Sequence, residues 1–410
     1  MKVFSLILTS LLLTLSAQAD WLNFRGPSAS GYDATATDLP TELNENTLAW
    51  KVPLPGRGLG SAVVIGDKLF VSAASGPEQK QLHVLCFNAV DGSPVWERRF
   101  WATGRTMSHN KTCVAAPTPA SDGERIYALY SSNDLVCLDL DGNLIWMRGL
   151  TLDYPNASNS LGMSSSPIVA GDTLVAQIEN DSESFAAGFD LITGTNKWKI
   201  DRPKAANWCS PTVLTIGGDE VVALQSSKGV LGVVPATGSA LFEYTDGAST
   251  IPSSTPAGDT LYIPSNGLTS ITVKPDGSEP IKHWTESAQR PGTASPLVLG
   301  DKVYTISSAG VLNCANRETG ERLWRIRLEP GEGSDSETPV GAFSGSPVAG
   351  GGNHIYVFSE SGVGLIVDVS GEEGEVVSFI ELGETILATP SLTRGALYIR
   401  SDRHLWRFGK

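Results

Sequence analysis

The chain has 410 residues, of which 43 are Gly, 24 are Pro, five are Cys and 18% are charged. This composition excludes a disordered chain, a coiled coil and a collagen-like repeat, and fits a soluble turn-rich globular fold. A formal net charge of −14 lacks the basic footprint of a nucleic-acid binder, and no apolar run reaches the ~18 residues of a membrane span.

Residues 1–19 read as a secretory signal peptide. Lys2 supplies the positive start, Val3 to Leu15 the apolar core, and Ala17-Gln18-Ala19 the small-residue cleavage site. The mature protein is expected to begin near Asp20 and to be exported to the periplasm or medium. No Cys stands at the cleavage site to carry a lipid. Residues 20–47 form an extended leader, with Trp21, Phe24 and Arg25-Gly26-Pro27 expected to pack on the outside of the fold.

From residue 48 onward one pattern repeats. Residues 295–328 show it most cleanly: four short alternating strands separated by turns at Gly300, Ala309-Gly310 and Thr319-Gly320, the last strand carrying Trp324. Period-2 alternation broken by glycine turns predicts an antiparallel meander. First strands open at Ser61-Ala62, Thr118-Pro119, Ser166-Pro167, Ser210-Pro211, Thr255-Pro256, Ser295-Pro296, Ser346-Pro347 and Thr389-Pro390. The spacing, about 45 residues, is that of four-stranded propeller blades. A Gly-x-x-x-Trp signature marks the fourth strand at Gly92/Trp96, Gly142/Trp146, Gly194/Trp198 and Gly320/Trp324, with Gly238/Phe242 as a variant.

The last blade has three strands, ending at Leu405-Trp406-Arg407-Phe408, while Leu48-Ala49-Trp50-Lys51-Val52 has fourth-strand character and no blade of its own. The prediction is an all-β, eight-bladed propeller over residues 48–410, in which the N-terminal strand completes the last blade and closes the ring. No second domain fits, and a monomer is expected.

Cys86, Cys137 and Cys314 share one third-strand position and read as small buried residues. Cys113 and Cys209 precede first strands, and a disulfide between them is left open by spacing alone.

The turn-Thr-Gly-x-x-x-Trp pattern, best at Thr193-Gly194 to Trp198 and Thr319-Gly320 to Trp324, resembles the tryptophan-docking repeat of pyrroloquinoline-quinone (PQQ) propellers. The resemblance covers essentially the whole mature chain and implies that these tryptophans pack blade on blade. Two branches share the repeat. Quinoprotein dehydrogenases imply PQQ, Ca²⁺ and an Asp base, and many carry a disulfide between adjacent cysteines, which this chain lacks. Short exported propellers, typified by the outer-membrane assembly lipoprotein BamB, match in length and blade number but have the lipid-attachment Cys. The leader Trp21-Leu22-Asn23-Phe24-Arg25-Gly26-Pro27 resembles that of secreted PQQ-repeat-like proteins of no assigned activity.

In a propeller the loops entering the first strands surround one mouth of the central channel, where a ligand or protein partner is expected. Arg57, Lys111 and Arg290 are the candidate cations there, and Trp208, which the packing repeat does not explain, is the candidate platform. The five His lack zinc spacing, the acidic loops at residues 179–183 and 332–337 lack calcium-loop spacing, and no nucleophile elbow is present. The residues therefore name no cofactor. They point to a non-catalytic exported scaffold binding a protein or small molecule on its loop face. The resemblance supplies two alternatives, a PQQ-dependent dehydrogenase with PQQ and Ca²⁺, and a BamB-like assembly factor.

Overall fold

Val63–Ile65, Lys68–Ser75, Gln81–Asn88 and Pro94–Trp101 pair in chain order into a four-stranded antiparallel sheet. The same meander recurs over residues 120–149, 168–201, 212–244, 255–286, 297–327 and 348–381. The computed structural model describes residues 20–158, 160–330 and 339–409; the signal-peptide reading, Asn159 and the whole acidic run at 332–337 fall outside them. Within a blade the first strand is innermost and fully buried in Val63–Ile65, and the fourth, Pro94–Trp101, is largely exposed.

The eighth blade is assembled from both ends of the chain. Ser391–Thr393, Ala396–Arg400 and His404–Gly409 provide three strands, and Leu48–Pro53 adds antiparallel to His404–Gly409 as the outermost, with Trp50 opposite Arg407 and Lys51 opposite Trp406. This is the predicted closure. The ring is an eight-bladed β-propeller, and among the described residues no helix is long and apolar enough to cross a membrane.

The tryptophans dock as the repeat implies. Trp50, Trp96, Trp146 and Trp198 donate their indole N–H to backbone carbonyls of the next blade, at Val90, Leu140, Leu191 and Pro235. Each ring lies on the turn glycine of that blade. At Gly92, φ is 75° and an added Cβ would stand 2.8 Å from the Trp50 ring, so both backbone conformation and space require glycine. Cys86, Cys137 and Cys314 face Trp96, Trp146 and Trp324 across the third-to-fourth strand ladder, where a folded-over indole leaves room only for a small side chain. Burial pushes Cys86 and Cys137 up to about 12 and Cys314 to about 11, so these thiols are inert at neutral pH. Cys113 and Cys209 are free as well. They belong to the second and fourth blades, and the open possibility of a disulfide between them is not realised.

Two sequence expectations need correction. The leader does not lie outside the fold. Trp21, fully buried, bridges Val64 of the first blade's innermost strand, Leu22 accepts a hydrogen bond from Ser121 N, and Tyr32–Asp33 runs parallel to Val348–Gly350 of the seventh blade. The leader thus runs along the inner strands, where Trp21 and Ala29 are fully buried and their apolar surface is removed from water. The Arg25 guanidinium is fully buried and donates to Ser30 O at 2.8 Å, Thr255 Oγ1 at 3.0 Å and Pro296 O. Burial pushes it down to about 9, still charged at neutral pH.

The second correction concerns the fifth blade. Its opening residue is Ser253 rather than Thr255: Thr255–Ala257 begins two residues after Ser253, as Ile168–Ala170 begins two after Ser166. The strand itself begins at Thr255 as expected, but Pro256 lies inside it rather than just ahead of it, which offsets the repeat position by two residues.

Glu384 clamps the closure. Its buried carboxylate accepts from Ser401 Oγ at 2.6 Å and lies 2.7 Å from His404 Nδ1 and 3.4 Å from Lys51 Nζ on the N-terminal strand. Burial works to raise its pKa, but Ser401, His404 and Lys51 together outweigh that and hold the carboxyl below its ordinary value. A depressed carboxyl contributes stability that is complete above the unfolded-state pKa and is lost as pH falls through the folded one. Urea midpoints measured from about pH 6 down to about pH 3 should therefore fall more steeply for the native chain than for Glu384→Gln. Equal slopes would show that the clamp carries no such linkage.

Candidate functional site

The residue that opens each blade builds the site. Seven backbone N–H groups donate to the hydroxyl of the next blade: Ser61 to Thr118, Thr118 to Ser166, Ser166 to Ser210, Ser210 to Ser253, Ser253 to Ser295, Ser295 to Ser346 and Ser346 to Thr389, all at 2.9–3.0 Å. Ser61 Oγ closes the circle by donating to Thr389 O at 2.7 Å. Sequence reading took these Ser and Thr as strand-entry residues; together they form a collar around the channel. The signal was present, since a hydroxyl recurs at one repeat position, but only ring closure shows that each serves its neighbour.

Above the collar the entering loops enclose a cup of about 390 Å³, within the range of small-ligand pockets. Leu59, Leu161, Trp208, Ile251 and Leu387 give it apolar walls, and His109 and Lys111 stand at its rim. Phe24 of the leader reaches it from below. Trp21 and Leu22 engage inner strands three residues beyond the collar, at Val64 and Ser121, about 10 Å along the strand. The leader is the floor of the cup.

Of the four residues predicted for this site, two line the cup. Trp208 is a wall, held by its indole N–H on Gly162 O at 2.9 Å and its backbone N–H on Thr250 O at 2.8 Å. Lys111 is at the rim, paired with Glu360 at 2.9 Å. Arg57 does not line the cup: it bonds Asp402 at 3.2 Å and the carbonyls of Thr112 and Asn110, stapling loops behind the wall. Arg290 is exposed and likewise outside the lining. The four therefore do not converge on one ligand. The floor residue Phe24 and the collar are the site features that sequence reasoning placed elsewhere.

PQQ and Ca²⁺ each place definite demands on a lining. A trianionic quinone needs several cations or charged hydrogen bonds. The cup offers Lys111, already neutralised by Glu360, and His109. Ca²⁺ needs six to eight oxygens with carboxylates among them; among the described residues no Asp, Glu, Asn or Gln lines the cup, and there is no cluster of three metal-binding side chains. The residues present do not fit that pair.

A Ser–His–Glu array occurs elsewhere, in the first blade. Ser75 Oγ lies 2.7 Å from His83 Nε2, and His83 Nδ1 lies 2.6 Å from Glu97 Oε1. The spacing matches an acyl-transfer triad, but His83 is 1% exposed. The backbone of Gly56 packs on Ser75, 2.8 Å from its Cβ to an added methyl. Arg99 also holds Glu97 in a two-pronged ion pair. The array ties three strands together at the blade's loop end.

The large apolar side chains that the loop face exposes are gathered beside the cup. Trp101 is 68% exposed, Leu152 73%, Met107 54%, Ile251 47% and Leu161 44%. Their loops interlock: Gly104 abuts Thr151, Gly162 abuts Ser108, and His109 N donates to Leu161 O. These interlocked loops carry exposed apolar side chains from the fourth strand of the first blade, at Trp101, to the cup lining at Leu161 and Ile251. Monomer surfaces rarely gather exposed apolar side chains in this way without a partner.

No curated protein matches the sequence. Among solved structures, the chain is similar to BamB from Moraxella catarrhalis, with a TM-score of 0.61, 16% identity, and coverage of 89% of this chain and 97% of that one. It is also similar to a europium-containing methanol dehydrogenase, with a TM-score of 0.69, 11% identity, and coverage of 95% and 98%. The quinohemoprotein alcohol dehydrogenase from Comamonas testosteroni gives a TM-score of 0.64 at 12% identity, covering 95% and 80%. Identities this low establish the shared propeller and nothing of activity. The sequence model of the family described as outer membrane protein assembly factor BamB matches residues 32–176, 102–325 and 308–410. With eight blades, six of them docked on the next by a tryptophan, and this match over most of its length, the chain belongs to the BamB family of PQQ-like β-propellers.

Proposed function

We propose that this protein is an exported, non-catalytic propeller scaffold that binds a partner protein on its loop face, as a monomer, with one group of the partner seated in the central cup. The observation that carries the reading is the set of exposed apolar side chains from Trp101 and Leu152 to Leu161 and Ile251 at the cup mouth. Membership in the BamB family supports a partner in outer-membrane assembly. A quinoprotein-like dehydrogenase is the weaker reading, because the cup lacks the cations and oxygen ligands that its cofactor pair requires.

The test uses the whole mature chain as bait in periplasmic extract, with the double variant Leu161→Asp/Ile251→Asp beside it. Both positions are exposed, so thermal unfolding should be unchanged, while a carboxylate forced into an apolar contact should weaken capture about tenfold or more. Co-purification of barrel-assembly proteins with the native chain alone is the expected result. Equal capture by both chains would overturn loop-face binding. Retention of quinone absorbance after PQQ and Ca²⁺ are added and the protein desalted, with dye-linked alcohol oxidation, would replace the scaffold reading by the dehydrogenase one.

A further inference from the structure

We infer that the cup selects an uncharged group with an apolar body and carbonyl-type acceptors at its leading end. The inference rests on the loop-face binding reading and adds the chemistry of what enters. Each of the seven collar hydroxyls that receives a neighbour's N–H has one lone pair engaged by the backbone. None of these seven hydroxyls donates its own proton to an acceptor among the described residues, all seven residues are buried, and all line the cup. The collar therefore faces the lumen with O–H donors, and Thr112, also in the lining, adds a buried hydroxyl oxygen with no partner.

A group that brings acceptors satisfies these protons. A pure hydrocarbon leaves them without partners in a desolvated site, which is the expensive outcome for a buried polar atom. Charge is selected against by the same lining. Lys111 is neutralised by Glu360, His109 stands at the rim, and the walls between rim and collar are leucine, isoleucine and indole, so an anion driven down to the collar would lose hydration without a counter-charge beside it. The walls above the collar suit an apolar body, and Phe24 below offers an aromatic surface.

The experiment titrates the mature chain, by calorimetry and by NMR, with four probes: coumarin (a neutral bicyclic lactone), naphthalene (a hydrocarbon of similar size), coumarin-3-carboxylate and PQQ. Coumarin is expected to bind, with naphthalene and coumarin-3-carboxylate each about tenfold or more weaker. Ser253→Ala and Thr389→Val each remove one donor and should weaken coumarin about three- to tenfold while leaving naphthalene unchanged. Because those variants also take an acceptor from a neighbouring N–H, Leu161→Trp provides a second arm: it fills the cup without touching the collar and should abolish coumarin binding.

Naphthalene binding as tightly as coumarin, either anion binding more tightly, or no coumarin binding at all would overturn the inference. Failure of the underlying reading has a different signature. Coumarin that occupies the cup but does not displace captured partner would leave the acceptor preference standing and sink the anchoring of the partner there.

Discussion

Replacing Trp50 by Ala is expected to lower unfolding stability by about 3–5 kcal/mol, and removing residues 48–53 altogether should leave a chain that does not fold to a stable ring. Trp50 is 9% exposed, packs on Gly92 of the first blade and donates its indole N–H to Val90 O at 3.1 Å. Its strand also covers the open edge of His404–Gly409 along five register pairs. Deletion removes the docking ring, one sheet ladder and the Lys51–Glu384 contact at once, and exposes an unpaired edge. A domain whose net stability is about 5–15 kcal/mol does not withstand that sum. Urea unfolding of Trp50→Ala, followed by tryptophan fluorescence and far-UV circular dichroism, measures the single-residue loss, and aggregation of the deletion reports the open edge. An unchanged midpoint for both chains would show that the N-terminal strand does not close the ring.

Arg25→Ala is expected to cost about 3–5 kcal/mol and to damage the cup as well as the fold. The guanidinium ties the leader to Thr255 and Pro296 of the fifth and sixth blades from a fully buried position. Truncation strips the Thr255 hydroxyl and the Pro296 carbonyl of a donor and leaves a void at the channel base. Arg25→Met separates the two components: it keeps most of the volume and removes a buried charge with no carboxylate partner, so it should lose clearly less stability than alanine. Both variants should loosen Phe24, the adjoining floor residue, and weaken coumarin binding in parallel with leader protection in hydrogen exchange. If Arg25→Ala melts like the native chain and its leader stays protected, the leader is not held by this residue.

Blade number, strand order and ring closure were readable from the chain because each depends on a local signal. Turn glycines recur where a positive φ is needed, an indole recurs four residues later, and an unpartnered strand at residue 48 matches a missing one at residue 408. The burial of Cys86, Cys137 and Cys314 followed from the same register. The position of Trp208 and Lys111 in the cup lining was legible because the packing repeat does not account for the first and the loop position exposes the second. Arg57 and Arg290 looked equivalent to Lys111 in sequence. Only the folded loops distinguish them, since the direction of a long side chain is decided by whichever carboxylates and carbonyls the neighbouring blades present, here Asp402, Thr112 and Asn110 for Arg57.

The sequence by itself determined the repeat, and with it the propeller, because backbone conformation and period-2 burial are properties of a few consecutive residues. What lies at the axis was decided by tertiary structure alone. A serine that opens one blade has no visible role until the next blade brings its backbone N–H within 2.9–3.0 Å, and the collar exists only when all eight blades meet. The leader carries no strand pattern that announces a channel. Trp21, Phe24 and Arg25 find their places because a closed ring offers a buried surface and a set of carbonyls that no linear stretch contains. Contacts between residues separated by hundreds of positions set the floor and the collar of the cup, and a linear reading of the chain contains neither.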